Sequence, residues 1–390
     1  MRPPDRSQRG GPTVRMLFPH GTVLAAFLAA GAAAWAQPDD PQPAPPQPAE
    51  TQPTPPPDAQ NLGAENNALQ DEITPELDAA VSRGLAWLAR QQNPDGSWGD
   101  GRWGRSVAIT ALACLAFMAD GHLPDRGAYG ENVSKGLRMI LDNCAENGLI
   151  AADGASAPMY GHGFAALFLG EIYGMTGGGG DTVLSQRIHE AVVKAARLIE
   201  SSQNEEGGWR YNPVPNDADT SVTICQVMAL RSARNAGIDV PKEVIDRAVA
   251  YVRRCQNPDG GFKYQAMGGP SDFPRSAAGV ASIQYAGFTD DPVVQRAIAD
   301  GLRYMLRFRP AGRSSQRAHY FYAQYYAVQA AYLAGGSTWE QWWPAIRREL
   351  LASQERDGSW SDPSVGDHYG TAMALIVLQV PKRYLPIFQR

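Results

Sequence analysis

Cysteine, histidine and excess charge of either sign are all scarce in this chain. Four cysteines in 390 residues are too few for a disulfide-built scaffold. Cys114 and Cys225 sit in apolar runs and read as small core residues, while Cys144 and Cys255 fall near expected helix ends. With a net charge of −5 nothing marks the chain as a nucleic-acid binder. After the first 36 residues no apolar run approaches the roughly 20 residues that a membrane-spanning helix needs. What is plentiful is apolar content, 44% of the chain, enough for a full core.

The N-terminus has the three parts of a signal peptide, expected over residues 1–36. Arg2, Arg6, Arg9 and Arg15 make a basic start, Thr22 to Trp35 is apolar, and Ala34-Trp35-Ala36 fits a small-x-small cleavage site. An uncleaved anchor is the alternative, but the apolar stretch is short for one. Residues 37–73 carry seven acidic side chains and no lysine or arginine, and residues 37–57 hold ten prolines. Such a segment has little to bury and forms neither helix nor ladder, so a disordered acidic tether is expected. The expected address is exported, periplasmic or extracellular.

Residues 74–390 contain an internal repeat. Gln92-Asn-Pro-Asp-Gly-Ser-Trp98, Gln203-Asn-Glu-Glu-Gly-Gly-Trp209, Gln256-Asn-Pro-Asp-Gly-Gly-Phe262 and Gln354-Glu-Arg-Asp-Gly-Ser-Trp360 match one another. Weaker copies surround Gly148 and Gly312. The glycines at 96, 148, 207, 260, 312 and 358 then recur about every 50 residues, the signature of one supersecondary unit used six times. Before each motif the pattern is an amphipathic helix. Thr74-Pro75 opens one, with Leu77, Val81, Leu85 and Leu88 on one face, and Asp291-Pro292 opens another. The motif is a turn. After it comes a helix of apolar and small residues, as at Val107 to Met118, Gly163 to Ile172 and Thr371 to Leu378. A helix apolar all round is buried. Six such hairpins predict an all-α fold, an α/α toroid with an inner barrel and an outer ring. An open solenoid shares the alternation, but no polar terminal cap is evident.

The Gln-x-x-x-Gly-x-Trp repeat resembles the QW motif of squalene and oxidosqualene cyclases, and a related pattern in protein prenyltransferase β subunits. The resemblance covers about residues 74 to 385 and implies the α/α toroid. It also implies that Gln92, Trp98, Gln203, Trp209, Gln256, Phe262, Gln354 and Trp360 staple neighbouring hairpins rather than touch a ligand. The chemistry of the family carries over less well. Asn216-Asp217-Ala218-Asp219-Thr220-Ser221 is similar to the cyclases' Asp-x-Asp-Asp-Thr-Ala acid motif, but Asn216 replaces the first Asp and Ala218 the proton donor. Asp217 and Asp219 are the carboxyls left for that role. Of the zinc ligands of prenyltransferase β subunits only a histidine has a counterpart, His368, and the Cys-Gly-Glu-Gln run of thioester toroids is absent.

The starts of the buried helices give a second pattern. They hold Arg105, then Tyr160 and His162, Asp217 and Asp219, Arg275, His319 and Tyr322, and finally Asp367, His368 and Tyr369. These are the candidate residues of a polar mouth, although polar first turns also cap helices. No cofactor and no metal site is expected. Three functions follow: a divergent exported toroid that binds a ligand or partner, an isoprenoid-processing enzyme of the cyclase type using Asp217 or Asp219, and a glycan-acting lyase or hydrolase using the His/Asp/Arg ring. The expected partner is a small molecule, isoprenoid or glycan, or an envelope protein.

Overall fold

The computed structural model describes residues 72–389, apart from 153, 177–181, 288–290 and 312–318. The signal segment, nearly all of the tether and the weak repeat copy at Gly312 lie outside the described residues. Twelve α-helices and no strands occur among the described residues. They are α1 Pro75–Arg90, α2 Val107–Met118, α3 Gly130–Asp142, α4 Pro158–Thr176, α5 Thr182–Ser202 and α6 Thr220–Asn235. The second half comprises α7 Lys242–Arg254, α8 Phe273–Tyr285, α9 Pro292–Leu306, α10 Tyr320–Ala334, α11 Gly336–Ser353 and α12 Asp367–Gln379.

Helix starts follow the local sequence. Thr74 caps α1 by accepting from Leu77 N at 3.3 Å, with Pro75 in the first turn. Asp291 does the same for α9, accepting from Val293 N at 2.8 Å. The even-numbered helices are buried on all sides, and they pack side by side in the order α2, α4, α6, α8, α10, α12. Because α12 also packs on α2, the inner ring closes. The odd-numbered helices wrap it, and α11 meets α1 to close the outer layer. The open solenoid is therefore ruled out. At the seam, Gln379 Nε2 of α12 donates to Ala116 O of α2 at 2.9 Å. Trp339 Nε1 of α11 donates to Glu72 at 2.9 Å, tying down the chain just before α1.

The motif explains the closure. In every strong copy the glutamine amide donates twice. Gln92 bonds Gly96 O and Asn132 O, Gln203 bonds Gly207 O and Val244 O, and Gln256 bonds Gly260 O and Ala297 O. Gln354 bonds Gly358 O and then Ala80 O of α1 at 2.9 Å, so the last staple clasps the first helix. The indoles of Trp98, Trp209 and Trp360 donate to Leu88 O, Ile199 O and Leu350 O at 2.7–2.8 Å. Each ring is thus buried with its one polar atom satisfied. The motif glycines have positive φ, and a Cβ on Gly96, Gly207, Gly260 or Gly358 would stand within 2.7 Å of a carbonyl oxygen of the next outer helix. Gly148 obeys the same rule against Lys194 O, at 2.3 Å, which makes it a true fifth copy.

Inner helices all run the same way, so their N-termini share one end of the barrel and their C-termini the other. The C-terminal segment packs on that other end. Leu385, Ile387 and Phe388 are buried there, and Ile387 N donates to Glu171 Oε2 of α4 at 2.8 Å. The N-terminal end of the inner helices is therefore the mouth.

Candidate functional site at the barrel mouth

Residues beginning the inner helices separate into three kinds. The first kind belongs to the wall. His162 is fully buried. Its Nδ1 accepts from Ile150 N at 3.1 Å, and its Nε2 lies 3.3 Å from Ala195 O of α5. In the strong copies the N–H of the motif aromatic is bonded by Thr110, Thr223, Ser276 or Thr371 at 2.8–3.1 Å. His162 does this work for repeat two and does not face the mouth. Burial holds its pKa down at about 4, so it is neutral at pH 7. His368 is likewise engaged: its Nδ1 accepts from Gly99 N at 3.0 Å and its ring meets Trp87 edge-on. Asp367 N donates to Asp100 at 3.2 Å across the same seam.

The second kind lies at the rim. Arg105 has a positive φ and pairs with Asp95 at 2.8 Å, and His319, also at positive φ, is exposed. The three candidate histidines therefore do not form a ring of bases. Among the described residues no three His, Cys, Asp or Glu side chains stand close enough to hold a metal ion.

The third kind surrounds α6. Asp219 is fully buried and caps that helix, its Oδ1 accepting from Ser221 N at 2.8 Å and Val222 N at 2.9 Å. Its Oδ2 accepts from Tyr264 OH at 3.3 Å. Desolvation outweighs these bonds and raises its pKa to about 6. Asp217, exposed, pairs with Arg210. Ala218, in the place of the cyclase acid, is buried against Gly208, where an added Cβ would come within 2.6 Å of the alanine methyl. Arg275 begins α8 and pairs with Asp272, and Tyr160 begins α4.

Below this mouth the axis is filled by α10. Tyr322 OH donates to Ser221 O of α6 at 3.0 Å. Tyr326 OH lies 3.4 Å from Cys225 Sγ of α6, and Tyr325 meets Phe164 of α4 with ring centroids 6.1 Å apart. Neither α4 nor α6 is a ring neighbour of α10, so these side chains cross the barrel. Tyr326 packs edge to face on both Tyr322 and Tyr325, each with ring centroids 4.8 Å apart, and Tyr325 and Tyr326 are buried. Tyr369 of α12 joins them, and burial raises its pKa as it does those of the three. The same burial pushes Cys225 up to about 12. The tyrosine run of α10, from which Tyr322 was expected at the mouth, is core on the barrel axis itself.

Comparison with known proteins places this geometry. Residues 182–292, which span α5 to the start of α9, match the prenyltransferase alpha-alpha toroid domain. The fold is an α/α toroid, and the matched stretch is similar to that family. Over 205 residues the toroid is 28% identical to a drimenyl diphosphate synthase of Streptomyces showdoensis, a match covering 50% of this chain and 37% of that protein. A second drimenyl diphosphate synthase, from Streptantibioticus cattleyicolor, is 27% identical over 199 residues, 47% of this chain and 35% of its own length. The matched region thus spans little more than a third of either relative. Among solved structures, the type II terpene cyclase MstE from Scytonema superposes with a TM-score of 0.53 at 15% identity, covering 79% of this chain and 99% of its own. Cellobiose 2-epimerase from Bacillus thermoamylovorans gives 0.59 at 13% identity, covering 82% and 100%. At such identities these likenesses speak for the fold alone.

The cluster that sequence reasoning missed is Arg210, Tyr211 and Tyr264. Its members follow the motif turns rather than opening the helices. The recurrence of an aromatic shortly after Trp209 and Phe262 was the available signal.

Proposed function

We propose that this toroid is a binding protein that takes a ligand or partner at its mouth and does not cyclise polyenes. The observation that carries this reading is the tyrosine column of α10, which fills the axis where an extended hydrocarbon would have to lie. Two further observations support it. Ala218 has no proton to give, and the neighbouring Asp219 spends both oxygens as a helix cap and tyrosine acceptor. A carboxyl with a pKa of about 6 is also a weak acid for protonating an alkene. The mouth is polar and partly exposed at Tyr160, Arg210, Tyr211, Tyr264 and Arg275, which suits recognition. The signal-like first 36 residues and the proline-rich segment support a protein that works outside the cytoplasm, held away from its export site or an envelope by the tether.

The test is turnover. The purified chain is incubated with squalene and with farnesyl diphosphate beside an active cyclase, and extracts are read by gas chromatography–mass spectrometry. No cyclised product is expected. A polycyclic product that disappears in Asp219→Asn would overturn the reading. N-terminal sequencing of the protein from cell fractions checks export: a mature start near residue 37 outside the cytoplasm is expected, and an intact N-terminus in the cytosol would refute it.

A further inference from the structure

The mouth carries a cluster that helix capping and ring closure leave unused. Arg210 and Tyr211 follow Trp209 directly, Tyr264 comes two residues after Phe262, and Arg275 lies in the first turn of α8. Two repeats thereby bring their turns together. The Tyr211 and Tyr264 hydroxyls share a hydrogen bond, and Thr220 N donates to Tyr264 O at 3.0 Å. The Arg210 guanidinium lies 5.1 Å from the Tyr211 ring centroid and 5.7 Å from that of Tyr264, and Arg275 stands 5.7 Å from Tyr264. Tyr160 adds a further ring, 6.1 Å from Tyr211.

Charge decides what this cluster suits. Arg210 pairs with Asp217 and lies 3.8 Å from Asp219, and Arg275 pairs with Asp272. Two guanidiniums thus face three carboxyls. A diphosphate would meet no net positive charge and would have to displace existing ion pairs. A hydrocarbon would strip water from four charged groups, Arg210, Arg275, Asp217 and Asp272, and give nothing back. Both guanidiniums are partly exposed, with Arg210 Nε turned toward Asp219 Oδ2 at 3.8 Å. The cluster therefore offers fixed donors, fixed carboxylate acceptors and tyrosine faces side by side. Adjacent sugar hydroxyls accept from a guanidinium and donate to a carboxylate, in charge-assisted bonds, while the C–H face of the ring lies on an aromatic.

We infer that the Arg210–Tyr211–Tyr264–Arg275 cluster is a subsite for an uncharged oligosaccharide. This deepens the mouth-binding reading and rests on it. The ligand lies across the turns of repeats three and four, outside the tyrosine-filled axis, and its hydroxyls bond the exposed edges of the two guanidiniums and of Asp217 and Asp272.

Isothermal titration of the intact protein tests this, with cellohexaose, mannohexaose and chitohexaose as probes and farnesyl diphosphate as the anionic comparator. At least one neutral hexasaccharide should bind with a Kd below about 1 mM, and the heat should change little with salt, since no net charge is neutralised. Arg275→Gln, which leaves the backbone cap of α8 in place, should weaken that binding roughly tenfold while the melting curve stays put. Tyr264→Phe keeps the ring face and removes only the hydroxyl, so it should lose less than Tyr264→Leu. The inference is overturned if none of the three sugars binds to folded protein. It is equally overturned if binding survives Arg275→Gln, or if farnesyl diphosphate binds instead with strong salt dependence. Cyclised product from squalene would sink the mouth-binding reading itself, whereas absent sugar binding with no product sinks the oligosaccharide subsite alone.

Discussion

Replacing Gly207 by alanine tests whether the motif glycine is a contact or only a bend. Gly207 has φ +96° and Gly237, just past the end of α6, has φ +84°. Alanine in either place pays for a left-handed backbone, about 1–2 kcal/mol. The surroundings differ. Around Gly237 an added Cβ meets nothing within 4 Å, whereas at Gly207 it would stand 2.3 Å from Arg247 O and 2.7 Å from the carbonyl carbon of α7. That neighbour is backbone inside a helix and cannot swing away, so the turn has to lift off α7. Overpacking of this kind costs about 1–3 kcal/mol. Lifting also stretches the Gln203 bonds to Gly207 O and Val244 O, now 2.9 and 2.8 Å, each contributing roughly 1 kcal/mol. Gly207→Ala should therefore lose about 3–6 kcal/mol and Gly237→Ala about 1–2. Urea unfolding followed by tryptophan fluorescence and circular dichroism measures both. If the two variants fall within about 0.5 kcal/mol of one another, the close approach to α7 contributes nothing and the staple account of ring closure fails.

The buried carboxyl at the far end gives a pH prediction. Burial raises the Glu171 pKa from the ordinary carboxylate range to about 7, against the lowering effect of its bonds from Ser232 Oγ and Ile387 N. The folded state holds that proton more tightly than the unfolded chain, so this contribution is full below about pH 4.5 and is lost as pH rises through 7. Glu171→Gln keeps an acceptor for Ile387 N. The difference in unfolding free energy between parent and variant should shift by about 3 kcal/mol between pH 4.5 and 8, and a flat difference would refute the assignment. The cysteines give another test. All four are unpaired, and Cys114, Cys225 and Cys255 are buried while Cys144 is partly exposed. Ellman's reagent should label Cys144 in the native protein and all four after denaturation. Rapid native labelling of Cys225 would contradict a thiol pushed up to about 12 inside the tyrosine column.

How far the sequence reached depends on whether a feature repeats. Gln92, Gln203, Gln256 and Gln354 recur with their glycines and aromatics because each meets the same neighbour in the same way, so one-dimensional spacing exposed the hairpins and their staples. The start of α1 at Thr74-Pro75 and the bounds of α2 were legible for a related reason: a cap and an apolar run act within one turn or one helix. Closure was not. Gln354 reaching Ala80, Gln379 reaching Ala116 and His368 reaching Gly99 join residues more than 260 apart, and no local pattern sets that distance. The mouth divides in the same way. Sequence placed polar residues at the starts of the inner helices, but which way each side chain turned was decided by packing. His162 went into the wall because repeat two lacks the hydroxyl that the strong copies use. Tyr322, Tyr325 and Tyr326 went across the axis because a closed ring of Ala- and Gly-rich helices leaves a space that only large side chains fill. The composition of one helix determined that it would be buried, and only the closed barrel determined what it would be buried against.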